Sequence, residues 1–224
     1  MNLIKDIRFF SEHPDPLLEK YYIRGMKDII QRLLFLLRHE NFTFGDFDHL
    51  YMNYTPTLPH GEVRLSERPV DRYHPWLRYV EAGCDLDLFK AGSLREQRLF
   101  LADTIRRAVH LHADAENCAV FDRCFERVMS LGSALEIPYK EKTGEHLKLT
   151  VSLTITDEAD FLPIVRIFDA DGNLLREEHL RSYGRDEFLC QFRTITLGKK
   201  TATISISKGY GAERFKIAQL KYTI

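Results

Sequence analysis

Histidine and carboxylate side chains gather most densely between residues 46 and 74, where Asp46, Asp48, His49, Tyr51, His60, Glu62, Asp71 and His74 share one stretch of chain. A histidine beside a carboxylate is the pairing that general acid–base chemistry uses, because the carboxylate orients the imidazole and stabilises its charged form. His49 with Asp48, and His60 with Glu62, have that composition. A hydrolase or nuclease-like site built on His49, His60 and His74 is therefore one function open to this stretch. Closeness in sequence does not bring side chains to one point in space, so no catalytic residue is assigned.

The other motifs reduce to structure. DADGN, Asp169 to Asn173, has the composition of a calcium loop. Such a loop needs glycine at its sixth position and glutamate at its twelfth, whereas here Gly172 is fourth and Leu180 twelfth. The segment predicts a hairpin turn. His110 and His112 stand two apart on a predicted helix, which turns their rings about 200° away from each other, and His112 continues a core face. Cys84, Cys118, Cys124 and Cys190 are scattered without a C-x-x-C pair, as reduced and mostly buried thiols are. GYGAER, Gly209 to Arg214, fits a hairpin loop better than a phosphate cradle, and no nucleophile elbow, P-loop or dinucleotide fingerprint is present. Neither a metal nor a cofactor is expected.

The elements that must position these residues follow from apolar periodicity. A helix is predicted from about Pro16, with Asp15 as its N-cap, through Leu18, Tyr22, Met26, Ile29, Ile30, Leu33 and Leu37 to about His39–Asn41. The aromatic-rich alternation of 47–56 predicts a strand. Pro56, Pro59, Pro69 and Pro75 make 55–75 a long irregular loop, and Trp76–Gly83 suits a short helix or a strand equally. Ser93 and Glu96 have capping-box spacing ahead of Leu94, Leu101, Ile105, Ala108 and Val109. A further helix runs from about Asp114 to Gly132. Beyond residue 134 the period becomes two: Leu147, Leu149, Val151, Leu153 and Ile155 alternate with polar residues. Strands are expected at 164–168, 174–180, EFLCQFRTITL, TATISIS and FKIAQLKYTI, with bulges near Arg193–Thr194 and Ala218–Gln219. The fold class is α+β, a helix-rich mixed part over 1–133 packed with a C-terminal antiparallel sheet over 134–224, a meander of five or six strands, in two domains or one continuous domain.

Charge narrows the function. The 32 basic and 33 acidic side chains give a net charge of −1, without the basic excess that phosphate contacts require, so nucleic acid is not an expected partner. Residues 40–91 are mildly acidic, with 9 acidic and 5 basic side chains. The longest apolar run, Leu33–Leu37, is far below the roughly 18 residues of a membrane span, and MNLIKDIRFF lacks a signal-peptide core. A cytoplasmic location without membrane contact is expected.

FDHLYMNYTPTLPHGEV and YVEAGCDLDLFKAGSLREQRLFLADTIRRAV carry a resemblance. An aromatic strand ending in a T-P turn, a Pro/Gly loop, and a G-x-D segment running into a capped amphipathic helix resemble bacterial immunity proteins of polymorphic-toxin and contact-dependent-inhibition systems, over about residues 40–113. The resemblance implies function by binding, with the chain occluding a cognate toxin and no catalytic residue of its own. On that expectation Asp46, Asp48, Glu62, Glu67 and Asp71 would meet a basic partner, with Tyr54 and Tyr73 as aromatic anchors. An accessory or ligand-binding module built on the sheet is a third possibility.

Overall fold

The structure, a computed structural model, describes residues 2–15, 25–206, 215 and 218–224. The fold is α+β, and the chain divides into two compact units, Met1–Gly132 and Ser133–Ile224.

In the first unit β1 (Asp6–Ser11), β2 (His49–Thr55), β3 (Val63–Leu65) and β4 (Leu77–Gly83) form one sheet in the order β1-β2-β4-β3. β1 and β4 run parallel to β2, and only β3 is antiparallel. A parallel neighbour needs a crossover connection, and α1 (Lys27–His39) lies within the one between β1 and β2. Helices α2 (Leu86–Ala91), α3 (Leu94–His110) and α4 (Ala115–Leu131) follow β4. The register sets Phe9, Met52 and Val80 in one row, with Tyr54 and Ala82 in the next row of the same face, and all five are buried. The Tyr54 ring meets Phe9 at 5.5 Å and Phe100 of α3 at 6.3 Å. Asp28 of α1 takes Arg32 at 2.8 Å and Arg98 of α3 at 2.9 Å, tying the two helices.

Local end signals act as the sequence predicts. Ser93 and Glu96 make both halves of the capping box, and Asp114 accepts the N–H of Asn117 at 2.8 Å. Gly132 ends α4 with φ 52 and ψ −130, a positive φ that favours glycine. Leu94 is 57% exposed, so the buried face of α3 starts a turn later, at Gln97 and Leu101. α1 ends at His39, while its expected start near Pro16, with Leu18 and Tyr22, lies outside the described residues; Asp15 pairs with Lys90 at 2.8 Å. The 55–75 segment is not wholly irregular: between its prolines it places β3, three residues on the sheet edge, where proline neighbours are tolerated. Trp76–Gly83 resolves to β4, which buries residues on both faces.

In the second unit β5 (Ile137–Thr143), β6 (Leu147–Ile155), β7 (Phe161–Asp169) and β8 (Leu174–His179) form an antiparallel meander. β9 (Thr194–Leu197), β10 (Thr201–Ser205) and β11 (Leu220–Thr223) form a second antiparallel sheet. The antiparallel C-terminal part is thus two sheets instead of one meander. The break is α5 (Arg185–Gln191), where a strand was expected. Phe188 and Phe192 are four apart, a helical spacing, and both are buried in a ring cluster with Tyr139, Phe161 and Tyr183. Lys140 donates to the carbonyls of Phe192 at 2.7 Å and Arg193 at 2.6 Å. Register shifts occur at Pro138/Lys140 and Ile167/Phe168, whereas the apolar phase slips at 193–194 and 218–219 mark strand starts. Asp169 closes the β7–β8 turn by accepting the N–H groups of Asp171 and Asn173. GYGAER lies outside the described residues. Among the described residues β8 pairs with β7 alone, and its residues are exposed except Glu178, which is half-buried. Among the described residues no helix is long and apolar enough to cross a membrane.

Candidate functional site

The parallel strands give the first sheet two distinct ends, separated by a seven-residue strand, about 20 Å. His49 opens β2 and His74 precedes β4, so both stand at the amino end. His60 stands at the carboxyl end, where its Nδ1 accepts the N–H of Asp85 at 3.0 Å and its ring stacks on Phe100 at 4.3 Å. His49, His60 and His74 therefore do not make one site. Each has its own partner: His49 bonds to Asp48, and His74 to Asp71 at 3.1 Å. His110 reaches Asp122 at 3.0 Å, while His112 packs on Phe47 at 4.9 Å with its Nε2 buried and unbonded.

The expected contact residues divide in the same way. Asp46, Asp71 and Tyr73 lie towards the amino end. Asp46 is bound to Arg78 at 2.6 Å, and Tyr73 is 78% exposed. Asp71 accepts from His74 and from the N–H of Tyr73 at 2.7 Å, and these bonds hold its carboxyl below the ordinary 3.8. Glu67 is exposed on the loop that precedes β4. Glu62 belongs to the opposite end, its carbonyl accepting the N–H of Gly83 at 2.8 Å. Two assignments are corrected by burial. Asp48 is 2% exposed; burial pushes its carboxyl up, but hydrogen bonds from Lys5, at 2.6 Å, and His49 outweigh that and keep it below 3.8. Tyr54 is fully buried on the helix-covered face, where burial raises its phenol pKa and Thr104 takes its hydroxyl at 2.6 Å. Neither can touch a partner without unfolding.

The opposite sheet face carries what sequence reasoning missed. The register aligns Arg8, Tyr51 and Tyr79 in one row and Phe10, Asn53, Glu81 and Arg64 in the next. Tyr51 meets Tyr79 edge-on at 5.6 Å and Phe10 at 5.1 Å, Arg8 lies over the Tyr51 ring at 5.6 Å, and Arg68 lies over Tyr79 at 5.1 Å. Phe10 is 40% exposed, Arg8 and Arg64 are exposed, and both tyrosines are half-buried. Every arginine has a carboxylate: Arg8 with Asp6 at 2.7 Å, Arg64 with Glu81 at 2.8 Å, and Arg68 with Glu12 at 3.3 Å. Asn53 donates to Glu12 at 2.7 Å, the bond that contributes most to lowering that carboxyl. The available signal was strand parity, since Tyr51 stands three residues from Tyr54 and so takes the other face.

Among the described residues no group of three or more His, Cys, Asp or Glu side chains is placed to hold a metal ion. No family model matches the chain, and neither the curated proteins nor the solved structures hold a match to it.

Proposed function

We propose that the protein acts by binding another protein, as an immunity protein that neutralises a cognate bacterial toxin by direct contact in the cytoplasm. The observation that supports this is the aromatic and arginine face of the first sheet. Parallel sheets are ordinarily covered on both faces, yet here Phe10 and Arg8 stand exposed beside two half-buried tyrosines. Tyrosine and arginine are the side chains most enriched at binding hot spots. The face carries three arginines against three carboxylates, so it offers a phosphate backbone no net attraction and suits a protein surface of mixed charge. Asp71 and Tyr73 stand before β4 at the amino end of the strands, whereas Asp46 is bound to Arg78, which the register places on the helix-covered face and outside this contact.

The experiment has two stages. Co-purification with mass spectrometry names a partner, which must arrest growth when produced alone and be silenced by this chain. Affinity for that partner is then measured with Tyr79→Ala and Arg8→Ala. Hot-spot losses of about 2 kcal/mol each predict roughly thirtyfold weakening per substitution, with the circular-dichroism spectrum unchanged. A partner that is harmless by itself, or wild-type affinity in both variants, would overturn the proposal.

A further inference from the structure

The three parallel strands all deliver their carboxyl ends to one cleft of about 540 Å³, within the range of small-molecule sites. His13 follows β1, Leu58 and His60 follow β2, and Asp85, Asp87 and Leu88 follow β4. In open α/β sheets ligands bind outside the carboxyl ends of the strands, at the point where the strand order reverses. The strand order here runs in one direction without reversing, so the cleft stands at shared strand ends and not at a topological switch.

The walls are preformed. A Cβ on Gly83 would lie 1.9 Å from the carbonyl oxygen of Pro59, so the backbone after β2 crosses directly over the end of β4. Gly61 donates to the Gly83 carbonyl at 2.9 Å, and Cys84 to the Thr55 carbonyl at 3.0 Å, fixing that crossing. The polar groups are specified as well. His60 Nδ1 accepts a backbone N–H, which leaves the proton of the neutral ring on Nε2, a donor with no hydrogen-bond partner among the described residues. Asp87 has no ion-pair partner among the described residues, the adjacent Lys90 being bound to Asp15 at 2.8 Å. Covalent chemistry has no candidate nucleophile here: burial, and then the Asp85 charge, push the Cys84 thiol up to about 12.

We propose that this cleft binds a small zwitterion of the amino-acid class, its cationic group against Asp85 and Asp87 and its anionic group on His60 Nε2. The half-polar, half-apolar lining, with Leu58 and Leu88 beside the charged groups, suits a compact molecule of that kind. The site is independent of the sheet face proposed above.

The test is an amide NMR titration of the full chain with L-arginine and with glycine, against agmatine (cation only) and acetate (anion only). Saturable shifts confined to residues 56–60 and 84–88 are expected with at least one amino acid. Agmatine and acetate should bind at least about tenfold more weakly, and Asp87→Asn should weaken the amino acid by a similar factor, with the rest of the spectrum unmoved. Absence of saturable shifts with both amino acids at millimolar concentration would overturn the proposal. So would agmatine or acetate binding as tightly as the zwitterion, or unchanged affinity in Asp87→Asn.

Discussion

Thr104 donates its single hydroxyl proton to the Leu101 carbonyl at 2.8 Å, so in the 2.6 Å bond with Tyr54 the phenol is the donor. Tyr54→Phe then removes one buried hydrogen bond while leaving the Thr104 proton satisfied, and is expected to lower stability by about 1 kcal/mol. Tyr54→Ala also empties a ring-sized space and is expected to cost about 3–5 kcal/mol. Urea unfolding midpoints separate the two; equal losses would mean that the hydroxyl, and not the ring, carries the whole effect. The residue also shows what a sequence can and cannot say at this scale. Alternation put Tyr54 and Tyr51 on opposite faces of β2, but which face meets α3 depends on residues fifty positions away. Asp48 is the same case, an acidic residue in an acidic stretch that Lys5 and His49 draw inward.

Elements whose signals are local were legible. The capping box, the Asp114 cap and the β7–β8 turn each depend on side chains within four residues of the backbone they satisfy. Elements defined by distant pairing were not. β3 exists because Val63–Leu65 meets Val80–Ala82 across the sheet, and nothing in its three residues announces that. α5 was hidden differently: its aromatic spacing is helical, but a seven-residue helix between strands gives a short apolar run that either period fits. Ser93→Ala tests the clearest of these elements. Loss of the N-cap oxygen should destabilise α3 by about 1 kcal/mol, read as a lower melting temperature, while Ser93→Asp should retain most of it. A drop of the same size in both variants would show that the hydroxyl's own bond to Glu96, lost in both, and not the cap oxygen, sustains the helix start.

At the scale of the whole molecule, acid is expected to act in two steps. His112 has its pKa held below 6.5, first by burial and then by the nearby Arg78 charge. A lowered folded value means the unfolded chain binds the proton more readily, so His112 contributes stability above pH 6.5 that is lost as pH falls below it. The Asp48 carboxyl, also lowered, contributes stability above its ordinary 3.8 that is lost as pH falls through its folded value. Melting temperature against pH should therefore fall first below 6.5 and again in the carboxylate range, and His112→Gln should remove the upper fall alone. A curve level down to the carboxylate range would contradict the burial of a neutral His112. One feature of the second unit bears on more than a single copy of the chain. Among the described residues no strand stands beside one side of the β8 backbone, and a strand from another molecule would find its row of donors and acceptors ready for pairing. What stands there is Arg176, Glu177, Glu178 and His179, with Arg176 held to Glu178 at 2.7 Å, a charged fringe that an incoming strand would have to desolvate. Charged side chains of this kind discourage edge-to-edge pairing; with valine and threonine in their place the same edge would offer a template on which copies stack into a fibre.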